Sequence, residues 1–284
     1  MKLENVLLIG GSGFVGGWIA SRLSDRGIRV TIPTRHRDNS KRLTTLPMVD
    51  MVEAKVHDPQ TLADLMQGQD AVINLVGILH DGDSRLPYGK GFAAAHVELP
   101  KKILAAMRQS GVRRLVHMSA LQAASKGPSE YLRSKGEGEA LVRAAIAEFD
   151  ITIFRPSVIF GANDAFLNMF AKLARVSPVL PLGAGNARFQ PVYVGDVATA
   201  FADCLNDGAT FGQTYDLCGP KTYTLREIVE YTAQLVGRSP RIIDLGTGGW
   251  AYLQAGLLWL LPKPPLSPDN LRSMEVDSVS DGSH

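Results

Sequence analysis

Cysteine is nearly absent, with only Cys204 and Cys218 in 284 residues. No disulfide framework and no paired metal motif can be built from them, so both are read as reduced, buried thiols. His80, Asp81 and Asp83 lie close together in the chain, but no partner ligands stand out, and no metal is expected. A charge excess of one sign is also missing. The 30 Lys and Arg against 28 Asp and Glu leave a net charge of +2, and no like-charge run reaches five, which argues against nucleic acid as a partner. There is no long hydrophobic run. Trp250 to Leu261 is the longest, and it is too short to cross a bilayer and ends at Pro262. It reads as a core helix of a small lobe, the alternative being a face laid on a membrane or an apolar partner; few basic residues flank it. The apolar stretch Val6 to Ile9 is strand-length and ends in glycine, so no signal peptide is read and a cytoplasmic protein is expected. Internal repeats and low-complexity linkers are lacking too.

What remains is a globular chain, 45% hydrophobic and 20% charged. Its apolar runs alternate with helical patterns. Strands are expected at Asn5 to Ile9, Ile28 to Ile32, Met51 to Val56, Ala71 to Val76, Arg114 to Met118 and Ile151 to Phe154. Helices are expected from Phe14 to about Asp25, over Gln60 to Met66, over Phe92 to Gln109 ending at Ser110 and Gly111, and over Ser129 to Glu148. Six strands in βα order predict an α/β fold with a doubly wound parallel sheet, a Rossmann fold. After Arg155 the pattern breaks into proline- and glycine-punctuated pieces, with a helix near Phe166 to Arg175. Strands are expected again at Gln190 to Val194 and Thr214 to Leu217, flanking a helix capped by Asp196. The domain reading is therefore 1–155 with a return segment at about 189–218 for the Rossmann unit, and 156–188 with 219–284 for a small substrate lobe. Glu275 to His284 is polar and reads as a fraying end.

The strongest local signal is Gly10, Gly11, Ser12, Gly13, Phe14, Val15 and Gly16. These residues satisfy both G-x-x-G-x-x-G and G-x-G-x-x-G, and they sit after a strand and open a helix. Glycine there permits positive φ and lets a pyrophosphate approach backbone N–H groups, while the helix N-terminus adds partial positive charge. An NAD site places an acid near the end of the second strand to accept the ribose 2′-OH. This chain has Pro33, Thr34, Arg35, His36 and Arg37 there instead. A guanidinium would pair with a 2′-phosphate, so NADP(H) is favoured over NAD(H), with Arg35 the first candidate and Arg37 the second. Asp58, after the third strand, is suited equally to accepting from the adenine amine and to capping a helix.

Tyr131 and Lys135 are four apart, on one face of the expected helix after the fifth strand, and Ser119 ends that strand. All three are thereby expected at the carboxyl edge of the sheet, where a bound nicotinamide would lie. A phenol has a reference pKa of about 10, and a nearby ammonium favours its phenolate, so Tyr131 is the candidate acid/base. Lys135 would also hold the nicotinamide ribose, and Ser119 would orient the reacting carbonyl or hydroxyl. A short motif of this kind also arises by chance on a surface helix.

Gly10 to Gly16, Ser119, Tyr131 to Lys135 and Arg155 to Gly161 together resemble the extended or atypical short-chain dehydrogenase/reductase superfamily. More narrowly, Ser119 to Gln122, Tyr131 to Glu139, Arg155 to Gly161, Phe166 to Asn168 and Gln190 to Val197 resemble the 39 kDa accessory subunit of respiratory complex I and its bacterial relatives. The resemblance implies that Tyr131 and Lys135 are the catalytic pair, that Ser119 is the family's Ser/Thr, and that Pro156 and Ser157 lie beside the nicotinamide. Asn74 to Gly77 departs from the Asn-Asn-Ala-Gly of the classical enzymes, so only Gly77 carries over as a cofactor contact. The expected function is NADP(H)-dependent hydride transfer to or from a carbonyl or hydroxyl of an unknown small molecule. The narrower resemblance implies an alternative, an NADPH-holding accessory protein without turnover, tied to a respiratory complex at the membrane or to ubiquinone synthesis. A nucleotide-sugar epimerase or dehydratase using the same triad is the third reading.

Overall fold

The computed structural model describes residues 3–36, 41–83, 85–246, 248–249 and 267–282. The first strand shows why a parallel sheet forms. In β1 (Asn5–Ile9), Val6, Leu7, Leu8 and Ile9 are all fully buried. Side chains alternate across a strand, so Val6 and Leu8 enter one core and Leu7 and Ile9 the other. Such a strand is stable only with helices on both faces.

The chain supplies them in order: α1 (Phe14–Asp25), β2 (Arg29–Thr34), β3 (Val49–Glu53), α2 (Pro59–Met66) and β4 (Ala71–Asn74). A helix then begins as α3 (Lys90–Phe92), widens to π geometry over Ala93–Glu98 and continues as α4 (Leu99–Ser110). After it come β5 (Arg114–Met118), α5 (Glu130–Ala144) and β6 (Asp150–Pro156). Two-residue β7 (Ile159–Phe160) is followed by α6 (Phe166–Val176), β8 (Val179–Gly183), β9 (Arg188–Phe189) and β10 (Val192–Tyr193). The remaining elements are α7 (Val194–Asp203), β11 (Thr214–Leu217), β12 (Tyr223–Thr224), α8 (Leu225–Leu235), β13 (Arg241–Gly246) and α9 (Pro268–Ser273).

Seven strands form one parallel sheet in the order β11-β6-β5-β4-β1-β2-β3. The order reverses between β1 and β4, and ligands of such sheets bind outside the carboxyl ends of the strands at that point. The Rossmann expectation from the sequence holds. β11 pairs with β6, so the chain does return to the sheet. A third core, built on Phe170, Leu180, Leu182, Phe189, Leu225, Val229 and Leu271, lies away from it.

Three local expectations are corrected. Gln190 to Val194 is not a strand of the sheet: Gln190 bonds Ser278 and Gly219 through its backbone, and only Val192 and Tyr193 pair, with β7. α7 is capped by Tyr193, and Asp196 lies inside its first turn without a side-chain cap. The polar segment expected to fray is tied down at Ser278 and Ser280. Ser278 accepts from Gln190 N–H and donates to Arg188, and Ser280 bonds Gln190 and Asp216. Periodicity misses these because each is a tertiary hydrogen bond. Trp250 to Leu261 lies outside the described residues, among which no helix is long and apolar enough to cross a membrane.

Candidate functional site

The glycine loop joins β1 to α1 at the switch point. Gly10 has φ +86°, and a Cβ on it would stand 3.2 Å from Leu75 C and Val76 N, so this loop and the one after β4 touch. Gly16 is closed inward, where a Cβ would lie 2.5 Å from Gly11 Cα. Gly13, the exposed N-cap of α1, is different. The nearest atom to its missing Cβ is Gly10 O at 3.3 Å, and no side chain caps the helix. Ser12, Phe14 and Val15 are half-buried around it. A helix N-terminus without a side-chain cap and without an acid in its first turn fits a phosphate.

Arg35 follows β2 and is exposed; Arg37 lies outside the described residues. Arg42 was missed by sequence reasoning because it lies beyond the strand end. Its guanidinium folds back onto the loop, donating to Gly13 O at 3.3 Å, and a Cβ on Gly17 would meet Nη2 at 3.0 Å. Asp58 caps α2, its Oδ2 accepting from Thr61 N at 2.8 Å and Thr61 Oγ1 at 2.6 Å. Those bonds hold its pKa below the usual carboxylate value. The capping reading accounts for Asp58.

α5 carries the Tyr and Lys. Ser129 caps it by accepting from Leu132 N–H at 3.1 Å, and Asp269 of α9 accepts from Glu130 N–H at 2.8 Å and Tyr131 N–H at 3.0 Å. A carboxylate at a helix N-terminus is stabilising. Burial pushes the Tyr131 phenol up to about 12. Lys135 is 5% exposed, and its Nζ donates to Met118 O at 3.0 Å. Gly77 leaves it room, since a Cβ there would meet Nζ at 3.2 Å. Loss of hydration lowers Lys135 to about 8, against the opposing pull of Glu139. Two neutral histidines stand near this ammonium, His117 at about 3 and His96 at about 2; burial is the larger cause for each, followed by the Lys135 charge.

Ser119 follows β5 and is 2% exposed. Its hydroxyl is fully buried and makes no hydrogen bond of normal geometry. It lies within reach of Glu139 and helps to lower that carboxylate. Arg155 grips both oxygens of Glu139, and Arg143 adds a bond at 2.8 Å. Burial raises this carboxylate, but Arg155, Ser119 and Arg143 together bring it down to about 2. Side chains past β5 alternate in direction, and the next one, Ala120, has no hydroxyl. Ser157 is likewise committed elsewhere: its Oγ donates to Ser278 O at 2.8 Å, so its side chain serves the end of the chain. Pro156 ends β6, and its carbonyl accepts from Leu121 N–H.

The structure thus brings together Gly10 to Gly16, Gly77, Tyr131 and Lys135 around one sheet edge. It adds Arg42, His96, His117, Glu139 and Asp269, which no local pattern singles out.

The comparisons agree with this geometry. The NAD dependent epimerase/dehydratase family matches residues 6–218. The Arabidopsis thaliana protein "NADH dehydrogenase [ubiquinone] 1 alpha subcomplex subunit 9, mitochondrial" is 32% identical over 84% of this chain. The aligned part is 59% of that relative, so the chain spans about three-fifths of its length. A "Ceramide reductase" of Caulobacter vibrioides is 29% identical over 89% of this chain and 76% of its own. Among solved structures, the dTDP-glucose 4,6-dehydratase DesIV of Streptomyces venezuelae, with NAD and TYD bound, superposes with a TM-score of 0.73, at 22% identity and 84% coverage of both chains. By its family match over three-quarters of its length and its Rossmann sheet with a glycine loop at the switch point, this chain belongs to the NAD dependent epimerase/dehydratase family.

Proposed function

We propose that this chain is an NADP(H)-dependent oxidoreductase of the short-chain type, acting on a carbonyl or hydroxyl carbon of a small molecule with Tyr131 as acid/base. The observation that carries this reading is the placement of Lys135 against Gly77 and Met118 O, one helical turn from Tyr131 on the same face of α5. When bound, the nicotinamide supplies or accepts the hydride. Tyr131, with a pKa of about 12, is protonated at neutral pH and is the proton donor for carbonyl reduction. Lys135 is charged below about pH 8, where it holds the nicotinamide ribose and favours the phenolate left after proton transfer.

A pH dependence follows. NADPH affinity is expected to be flat up to about pH 7.5 and to weaken about tenfold towards pH 10, as the ammonium that donates to the ribose is lost. Titration calorimetry across that range checks it. An affinity that holds constant through pH 10 removes Lys135 from the ribose.

Arg35 and Arg42 are assigned to the 2′-phosphate. Each Arg→Ala change is expected to lower the NADPH:NADH affinity ratio by about tenfold, the lower end for an exposed charge-assisted bond, while NADH affinity stays level. An unchanged ratio in either variant removes that arginine from the assignment.

A second reading has its own observation. The Ser119 hydroxyl is buried beside Glu139, and a hydroxyl kept by that carboxylate would leave a substrate without its orienting group. That favours an accessory role, in which the chain holds NADPH as part of a respiratory assembly, as the name of the Arabidopsis relative suggests.

A further inference from the structure

We infer that His96 is a positioning residue, which sets the helix bearing Tyr131 and Lys135 against the turn that follows β4. The inference rests on the assignment of Tyr131, Lys135 and Gly77 to the dinucleotide site. It begins with Pro100. In an α-helix the carbonyl of residue 96 accepts from the N–H of residue 100, which proline lacks, and the pyrrolidine ring crowds that same carbonyl. The helix widens to π geometry over Ala93–Glu98 at this point, and the His96 carbonyl is turned toward α5. A Cβ on Gly138 would stand 1.8 Å from His96 O, so only glycine lets the two backbones meet there.

The widened turn buries the imidazole, leaving it 2% exposed, and every polar position on it is used. Ile78 N–H donates to Nε2 at 3.1 Å, so Nε2 carries no proton. The proton therefore sits on Nδ1, 2.8 Å from Ser134 Oγ, and Ser134 in turn donates to Tyr131 O at 2.9 Å. One uninterrupted chain of donors runs from the turn after β4 to the backbone of the acid/base residue. The ring also packs edge-on against Tyr131, with centroids 5.6 Å apart, and a Cβ on Gly77 would meet Nε2 at 3.6 Å. His96 thus touches both walls of the site, the Tyr131 ring and the turn at Gly77.

The test uses His96→Phe, which keeps the ring and loses both bonds, His96→Gln, which offers one donor and one acceptor, and Ser134→Ala. In His96→Phe, NADPH affinity is expected to fall about tenfold, and kcat on any substrate found to turn over about a hundredfold, as for a displacement of about 1 Å at a reacting centre. His96→Gln should recover most of both. Combining His96→Phe with Ser134→Ala should cost no more than His96→Phe alone, because both break one chain. Nitrogen NMR of histidine-labelled protein should show His96 with an unprotonated Nε2. The opposite tautomer overturns the inference, and so does a folded His96→Phe or Ser134→Ala variant with unaltered NADPH affinity. If NADPH binding falls as expected while no substrate turns over even in the wild type, the positioning role stands and the hydride-transfer reading falls.

Discussion

Replacing Tyr131 with phenylalanine is expected to lower kcat for NADPH-dependent reduction by about a hundred- to ten-thousand-fold, the range that a positioned general acid contributes. NADPH affinity should stay within about twofold. Both halves follow from the geometry. The residue is half-buried, and loss of hydration holds its phenol protonated, with a pKa of about 12, so it is a donor in waiting. The backbone bonds at its helix, to Asp269 and from Ser134, do not involve the hydroxyl. A screen of carbonyl, quinone and nucleotide-sugar substrates, followed by NADPH absorbance in wild type and variant, decides the matter. Turnover lost with Tyr131→Phe supports the oxidoreductase. Tight NADPH binding with no Tyr131-dependent turnover across the screen overturns it and leaves the accessory reading.

Gly138→Ala is expected to destabilise the fold by about 3 kcal/mol, at the upper end of overpacking costs. The sign is what matters. Helix propensity alone predicts a gain of about 1 kcal/mol for alanine over glycine inside a helix. The Cβ would have to enter the space held by the His96 carbonyl, 1.8 Å away, and backbone on both sides gives way only by separating α5 from the π turn. Gly17, inside α1, is the control. Its Cβ would meet the end of the Arg42 side chain at 3.0 Å, which swings aside, and Leu43 Cδ2 at an ordinary contact distance of 3.5 Å, so Gly17→Ala should be neutral or stabilising. Urea unfolding of the two variants measures the difference. Equal stabilities would mean that the backbones are not in contact at Gly138.

The two predictions differ in how far the sequence alone could reach them. Tyr131 and Lys135 are visible as a pair because helical spacing fixes which residues share a face. The strand before them is legible from its unbroken apolar run. Gly138 was not legible as a contact point, since a glycine inside a helical pattern looks like a weak helix former until the opposing carbonyl is known. The same holds for Pro100, which lies inside one expected helix and stands just after the π turn that carries His96. Ser119 is legible only by its place just past β5; that its hydroxyl lies by the Glu139 carboxylate depends on how α5 packs against that strand.

By itself the sequence determined the order of strands and helices from β1 to β6, the parallel sheet, the glycine loop at the end of β1 and the Tyr131/Lys135 face, because all of these follow from spacing within one element or between adjacent ones. Tertiary structure alone decided which charges and hydroxyls reach the site. Arg42 folding onto Gly13, Asp269 capping the helix of Tyr131, Glu139 beside Ser119 and Ser278 claiming Ser157 each join residues distant in the chain. The physical reason is that a side chain's partner is set by how helices and strands pack against one another, and no periodicity along the chain encodes that packing.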